Sequence, residues 1–156
     1  MTSLRTLSPF AACLAVVGLF AFAPVASAEK AHDTIKLGLH GYSPVSYFHS
    51  DQPHFGSPEF SAQAHGVTYF FANQQELDTF NGNPEAFLPA YGGWCATGAS
   101  KSKYLGSDPT NFQIVDGRLM LYFKSPEKDA RAIWNNGNEA ELVSKADAFY
   151  NANHAH

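Results

Sequence analysis

One thiol in this chain stands in a segment built for a sharp turn. Cys95 follows Tyr91-Gly92-Gly93-Trp94 and precedes Ala96 and Thr97, so paired glycines free the backbone immediately before it. If a helix opens there, its unpaired N–H groups gather near the sulfur. A thiol so placed suits soft-metal ligation or redox chemistry. The second cysteine, Cys13, lies in an apolar N-terminal run that is expected to be removed. Cys95 is then left without an internal disulfide partner, and it is either buried and inert, or reactive or metal-binding. Lys101 and Lys103 stand six and eight residues on, too far along a continuous helix to sit beside the thiol, and are expected to be solvated surface charges.

The chain also holds seven histidines. His40, His49, His54 and His65 come from the edge of the leader, the first loop and a hairpin turn, positions that could converge on Cys95. One soft thiolate with one or two imidazoles suits copper or another transition metal such as zinc. No pair has the close spacing of a metal motif such as H-x-x-x-H. His154 and His156 form a terminal His-x-His that would scavenge metal without being a designed site. There is no G-x-S-x-G, no glycine-rich phosphate loop, no C-x-x-C and no facing carboxylate pair, so a non-enzymatic module is expected before an enzyme.

The elements that must position these residues are short. Ser43-Pro44 reads as a cap with proline at the first helical position, and His49 to Pro58 as a loop. Phe60 to Ala64 and Val67 to Phe71, joined by His65-Gly66, predict a β-hairpin. Asn73 and Glu76 form a capping box for a helix carrying Leu77 and Phe80 and stopped at Gly82. A short helix is expected from Pro84. Phe112 to Val115 and Leu119 to Phe123, around Asp116-Gly117, predict a second hairpin with a type I′ turn. Ser125-Pro126 predicts a helix through Ile133 and Trp134, and Leu142, Val143, Ala146 and Phe149 keep helical spacing in a last one. The expected fold class is α+β, small antiparallel hairpins packed with short helices and a helical C-terminal segment, without internal repeats. Phe60, Tyr69, Phe71, Phe80, Phe87, Phe112, Tyr122 and Trp134 are the expected core.

The ends bound where the protein works. Arg5, the apolar run Phe10 to Phe22, Pro24 and Ala26-Ser27-Ala28 read as a signal peptide over 1–28, with cleavage before Glu29. A flexible leader over 29–39, the domain proper over 40–124, C-terminal helices packed on it over 125–152 and a frayed tail over 153–156 follow. After cleavage no membrane anchor is expected, and the location is periplasmic or secreted. Loss of Arg5 leaves nine basic residues against fourteen acidic ones, with no basic cluster, which excludes a nucleic-acid partner.

Read together, Gly41-Tyr42-Ser43-Pro44-Val45-Ser46-Tyr47-Phe48, Gly66-Val67-Thr68-Tyr69-Phe70-Phe71, Asn83-Pro84-Glu85-Ala86-Phe87 and Tyr91-Gly92-Gly93-Trp94-Cys95-Ala96 resemble the YHS-domain family over roughly residues 40–124. The likeness is greatest to its exported, stand-alone bacterial members. Those relatives usually carry Asp where Ser43 stands, and either residue can cap a helix. YHS domains of heavy-metal transport proteins bind metal through cysteines near the start and directly after the strand aromatics. Ala72 follows Phe70-Phe71 here, so that ligand set does not carry over. Cys95 does, and some proteins similar to this one have selenocysteine at that position, which implies an active chalcogen. Tyr42, Tyr91, Gly92, Gly93 and Trp94 are its expected support. The first expectation is a copper-like metal-binding module using Cys95 with His40, His49, His54 or His65. The second is a thiol redox protein in which Cys95 cycles through a sulfenic acid or a mixed disulfide with a thiol partner protein, and the third a structural or interaction domain with an inert Cys95.

Overall fold

A computed structural model describes residues 36–154. The expected signal peptide and its cleavage point, most of the expected leader and the last two residues lie outside them. The fold is α+β, three small antiparallel two-stranded sheets with four α-helices among the described residues. In chain order, β1 is Ser57–Ala64, β2 Val67–Phe71, α1 Gln74–Gly82 and α2 Ala96–Ala99. These are followed by β3 Asp108–Val115, β4 Arg118–Tyr122, β5 Lys124–Ser125, β6 Lys128–Asp129, α3 Ala130–Asn135 and α4 Glu139–His154. No described helix is long and apolar enough to cross a membrane.

The two large hairpins form as their turn chemistry requires. His65-Gly66 has φ of 50° and 72°, and Asp116-Gly117 has 49° and 74°, the two positive values of a type I′ turn. Side-chain alternation then buries one face of β1 and β2. Strand β4 is buried on both faces. Leu119 and Leu121 join Val45, Tyr47, Tyr69, Phe71 and Phe80 in one apolar cluster. Met120 and Tyr122 join Cys95, Ala96, Trp134 and Ala146 in another. Phe60, Phe87 and Phe112 pack against the first cluster half-buried, while the other expected core aromatics are fully enclosed.

The short helical turns expected after Ser43-Pro44 and from Pro84 form as single 3-10 turns, Ser46–Phe48 and Pro84–Ala86. Three boundaries differ from expectation. The domain starts before residue 40, because Lys36 O accepts from Thr68 N at 2.9 Å and Leu39 is buried. Ser125-Pro126 opens no helix. It turns the β5–β6 hairpin, and α3 begins later because Asp129 Oδ1 accepts from the amides of Arg131 (2.9 Å) and Ala132 (3.3 Å). At the other end α4 continues to His154, whose ring stacks on Tyr150 with centroids 4.0 Å apart, so the expected fraying point falls inside a helix.

The hairpins also belong to a repeat that side-chain identity conceals. In the first half a left-handed turn at Leu39-His40 leads into Gly41 at φ 91°. In the second a left-handed turn at Tyr91-Gly92 leads into Gly93 at φ 86°. A parallel bridge Leu37–Thr68 is matched by Pro89–Leu119. Ser43 N donates to His54 O at 2.9 Å, and Cys95 N to Leu105 O at 3.0 Å. Both hairpins carry a register shift at the same place, Ser57/Ser61 and Asp108/Phe112. The halves diverge after the second strand, where one continues into α1 and the other into β5–β6 and α3.

Gly117→Val should destabilise the fold by about 1–3 kcal/mol, because a β-branched residue resists the positive φ of the turn. Denaturant melts check it, and an unchanged midpoint would contradict the role given to this turn.

Candidate functional site

Cys95 is held by backbone on several sides. Its amide bonds to Leu105 O, its carbonyl accepts from Ala99 N at 2.9 Å, and it bridges to Leu121 of β4. It stands at the N-cap of α2, as the sequence suggests, and that helix has a single turn. The Tyr91 end of the segment is locked as well. Arg118 donates to both oxygens of Asp147 at 2.8 and 3.2 Å, Tyr91 Oη donates to Asp147 Oδ1 at 3.0 Å, and the guanidinium lies 5.3 Å from the Tyr91 ring centre. Burial, opposed by Arg118 and reinforced by Asp147, pushes the Tyr91 phenol well above its ordinary range, so it remains a hydrogen-bond donor.

Cys95 presents no surface to bulk solvent. It lies instead in the wall of a cavity of about 390 Å³ together with Thr97, Gly98, Leu105, Phe123, Ala130 and the lysines Lys101, Lys103 and Lys128. That volume lies within the range of small-ligand pockets. No carboxylate lines it. The ion pairs among the described residues are His54–Glu76, His65–Glu85, Arg118–Asp147 and Lys145–Glu141, which leaves the three ammonium groups without an acidic partner. A chamber lined by apolar residues and three exposed lysines attracts anions.

Lys101 and Lys103 are exposed as expected, yet they reach this cavity because the chain doubles back after α2. Lys101 N and Lys103 N both donate to Gly98 O, at 2.9 and 3.0 Å, and Ser102 takes a left-handed φ of 57°. Gly98 makes the reversal possible, since a Cβ there would meet Lys103 O at 3.0 Å and Leu105 at 3.1 Å. Distance along a continuous helix was the wrong measure for these lysines, and Lys128 arrives from the unforeseen β5–β6 hairpin.

The histidines are not gathered around the thiol. None lines the Cys95 cavity. His54 Nε2 is 2.8 Å from Glu76 Oε1 and His65 Nε2 is 2.7 Å from Glu85 Oε1. His40 lines a separate cavity of about 160 Å³ with Gly92 and Gly93, and His49 is exposed at the end of a 3-10 turn. Among the described residues no group of three or more His, Cys, Asp or Glu is placed to hold a metal ion. Of the expected supporting residues, Tyr91, Gly92 and Trp94 line a third cavity, of about 670 Å³, with Tyr150 and His154. Tyr42 stacks on Phe55, centroids 4.0 Å apart.

A second polar centre sits in the first half. Glu76 Oε2 accepts from Ser43 Oγ at 2.6 Å and from Ala72 N at 3.1 Å, while its Oε1 meets His54. Asn73 caps α1 by accepting from Glu76 N at 3.0 Å. The Glu76 carboxylate, however, serves Ser43 and Ala72 rather than closing the capping box onto Asn73, and spacing alone could not disclose that. Burial works against its charge, but the bonds from Ser43, Ala72 and His54 outweigh it and hold the carboxyl below its ordinary value.

Comparison with family models, with curated proteins and with solved structures finds no match for this chain.

Because the folded state lowers the Glu76 pKa, its carboxylate stabilises the fold above the unfolded value of 4.5 and loses that contribution as pH falls through the lower folded value. Glu76→Gln should therefore cost about 1–3 kcal/mol at pH 7 and make stability less steep below pH 4.5. Denaturant midpoints across pH 3–7 check this; parallel wild-type and variant profiles would contradict it.

Proposed function

We propose that the chain is a YHS-type thiol module working outside the cytoplasm, in which Cys95 exchanges with small anionic disulfides that enter through the lysine-lined cavity. The observation that supports this reading is the meeting of the chain's one described cysteine with three lysines that have no acidic partner among the described residues, in the wall of a single small chamber. Cys95 is fully buried behind the cavity wall, so a disulfide reaches the sulfur only when that wall yields to it. In the exchange the Cys95 thiolate attacks one sulfur of the disulfide. A new S–S bond forms to Cys95, the old one breaks, and the other half leaves as a thiolate. Cys95 is thereby oxidised and the small disulfide reduced, with no further electron carrier. Return to the thiol needs a thiol from outside, since no second cysteine is described.

Charge selection is the discriminating property. At low salt the dianion 3,3′-dithiodipropionate should form its mixed disulfide with Cys95 faster than neutral 2-hydroxyethyl disulfide, and faster than the dication cystamine by at least about tenfold. The order should flatten near 1 M salt, where the screening length is about 3 Å, and in a Lys101→Gln, Lys103→Gln, Lys128→Gln variant. Intact-mass time courses read all of these rates. Equal rates for the three disulfides would overturn the charge selection assigned to the cavity, and no adduct before unfolding would leave Cys95 as inert core; either result overturns the reading.

A further inference from the structure

The repeat identifies what the Cys95 cavity is shaped to receive. The matched amide bonds, Ser43 N to His54 O and Cys95 N to Leu105 O, make Ser43 the counterpart of Cys95 and His54 the counterpart of Leu105. The matched strand ends, Phe71 and Tyr122, make Ala72 the counterpart of Phe123. In the first half these three residues, Ser43, His54 and Ala72, are the ones that bond the Glu76 carboxylate. In the second half their counterparts Cys95, Leu105 and Phe123 all line the open cavity. The residue at the place of Glu76 in the second half is Glu127, whose carboxylate accepts from Ser125 Oγ at 3.0 Å at the surface instead of lining the cavity, so the place of the carboxylate is left open. Glu76 comes from α1, which follows β2 directly, whereas β4 is followed by β5–β6, which brings Lys128 to the cavity instead.

We infer that the Cys95 cavity binds the carboxylate of a small organic acid, placed as Glu76 is placed in the first half. The inference rests on the reading of this cavity as the ligand site, but it does not need the thiol to react. Where Glu76 has a seryl hydroxyl and an imidazole, the incoming carboxylate has the ammonium groups of Lys101, Lys103 and Lys128. The remainder of the acid lies against Leu105, Phe123 and Ala130, which favours short aliphatic acids over inorganic anions.

The test is a titration with propionate and glutarate, followed by amide chemical shifts of the uniformly labelled protein at ionic strength matched with chloride. Phosphate and sulfate are run in parallel. Amides of Leu105, Phe123 and Lys128 should move saturably with the carboxylates. Cys95→Ser recreates the Ser43 donor, which bonds its carboxylate at 2.6 Å, so this variant should bind propionate about tenfold more tightly than wild type. The exposed substitutions Lys101→Gln and Lys128→Gln should together weaken binding about tenfold without disturbing the fold. The inference is overturned if propionate moves none of these amides, if phosphate or sulfate binds as well, or if the lysine variant binds unchanged. Its failure is distinct from failure of the thiol reading. Disulfide charge selection could persist without carboxylate binding, and Cys95→Ser could bind carboxylate although the native thiol never exchanges.

Discussion

The fold depends on a short strand with no free face. Arg118–Tyr122 sends Leu119 and Leu121 into one apolar cluster and Met120 and Tyr122 into the other, as the period-two alternation of a strand requires. A slip of one residue would exchange the two sets. The turn at Asp116-Gly117 and the bridges to Pro89 and Cys95 all act on that register. The segment carrying Cys95 is therefore positioned by the same strand that joins the two cores.

That arrangement explains why much of the fold was legible in the sequence. Asp116-Gly117 and His65-Gly66 specify their turns through backbone conformation alone, and Asn73 caps α1 through a local bond. Where outcomes depended on distant partners, local rules failed. Ser125-Pro126 has every mark of a helix start, but β5–β6 pairing and the Asp129 cap move the helix to Ala130. Residues 36–39 show no periodicity, yet the Thr68 bond and the packing of Gly38 against Tyr69 draw them into the domain.

The site was half legible. The glycines before Cys95 and its place at a helix start could be read from residue order. The lysines could not, because Gly98 reads as one small residue among several until the reversal that it permits is seen. Nor could the repeat, which is written in φ values, bridges and register rather than in residue identity. Ser43 and Cys95 share a backbone position and differ in chemistry, the first occupied by an internal carboxylate and the second facing a cationic chamber. Divergence after the second strand of each half accompanies that difference, since α1 turns Glu76 onto Ser43 whereas the β5–β6 turn holds Glu127 on Ser125 and Lys128 lines the cavity.

The central claim is that the chamber beside Cys95 both admits and orients a small carboxylate next to the sulfur. A crystal structure of the mixed disulfide between Cys95 and 3-mercaptopropionate tests it most directly. The account predicts that the adduct lies inside the cavity with its carboxylate within about 3 Å of a lysine ammonium, with β4 in place. An adduct that projects into solvent, or that forms only with β4 displaced from its register, would contradict it.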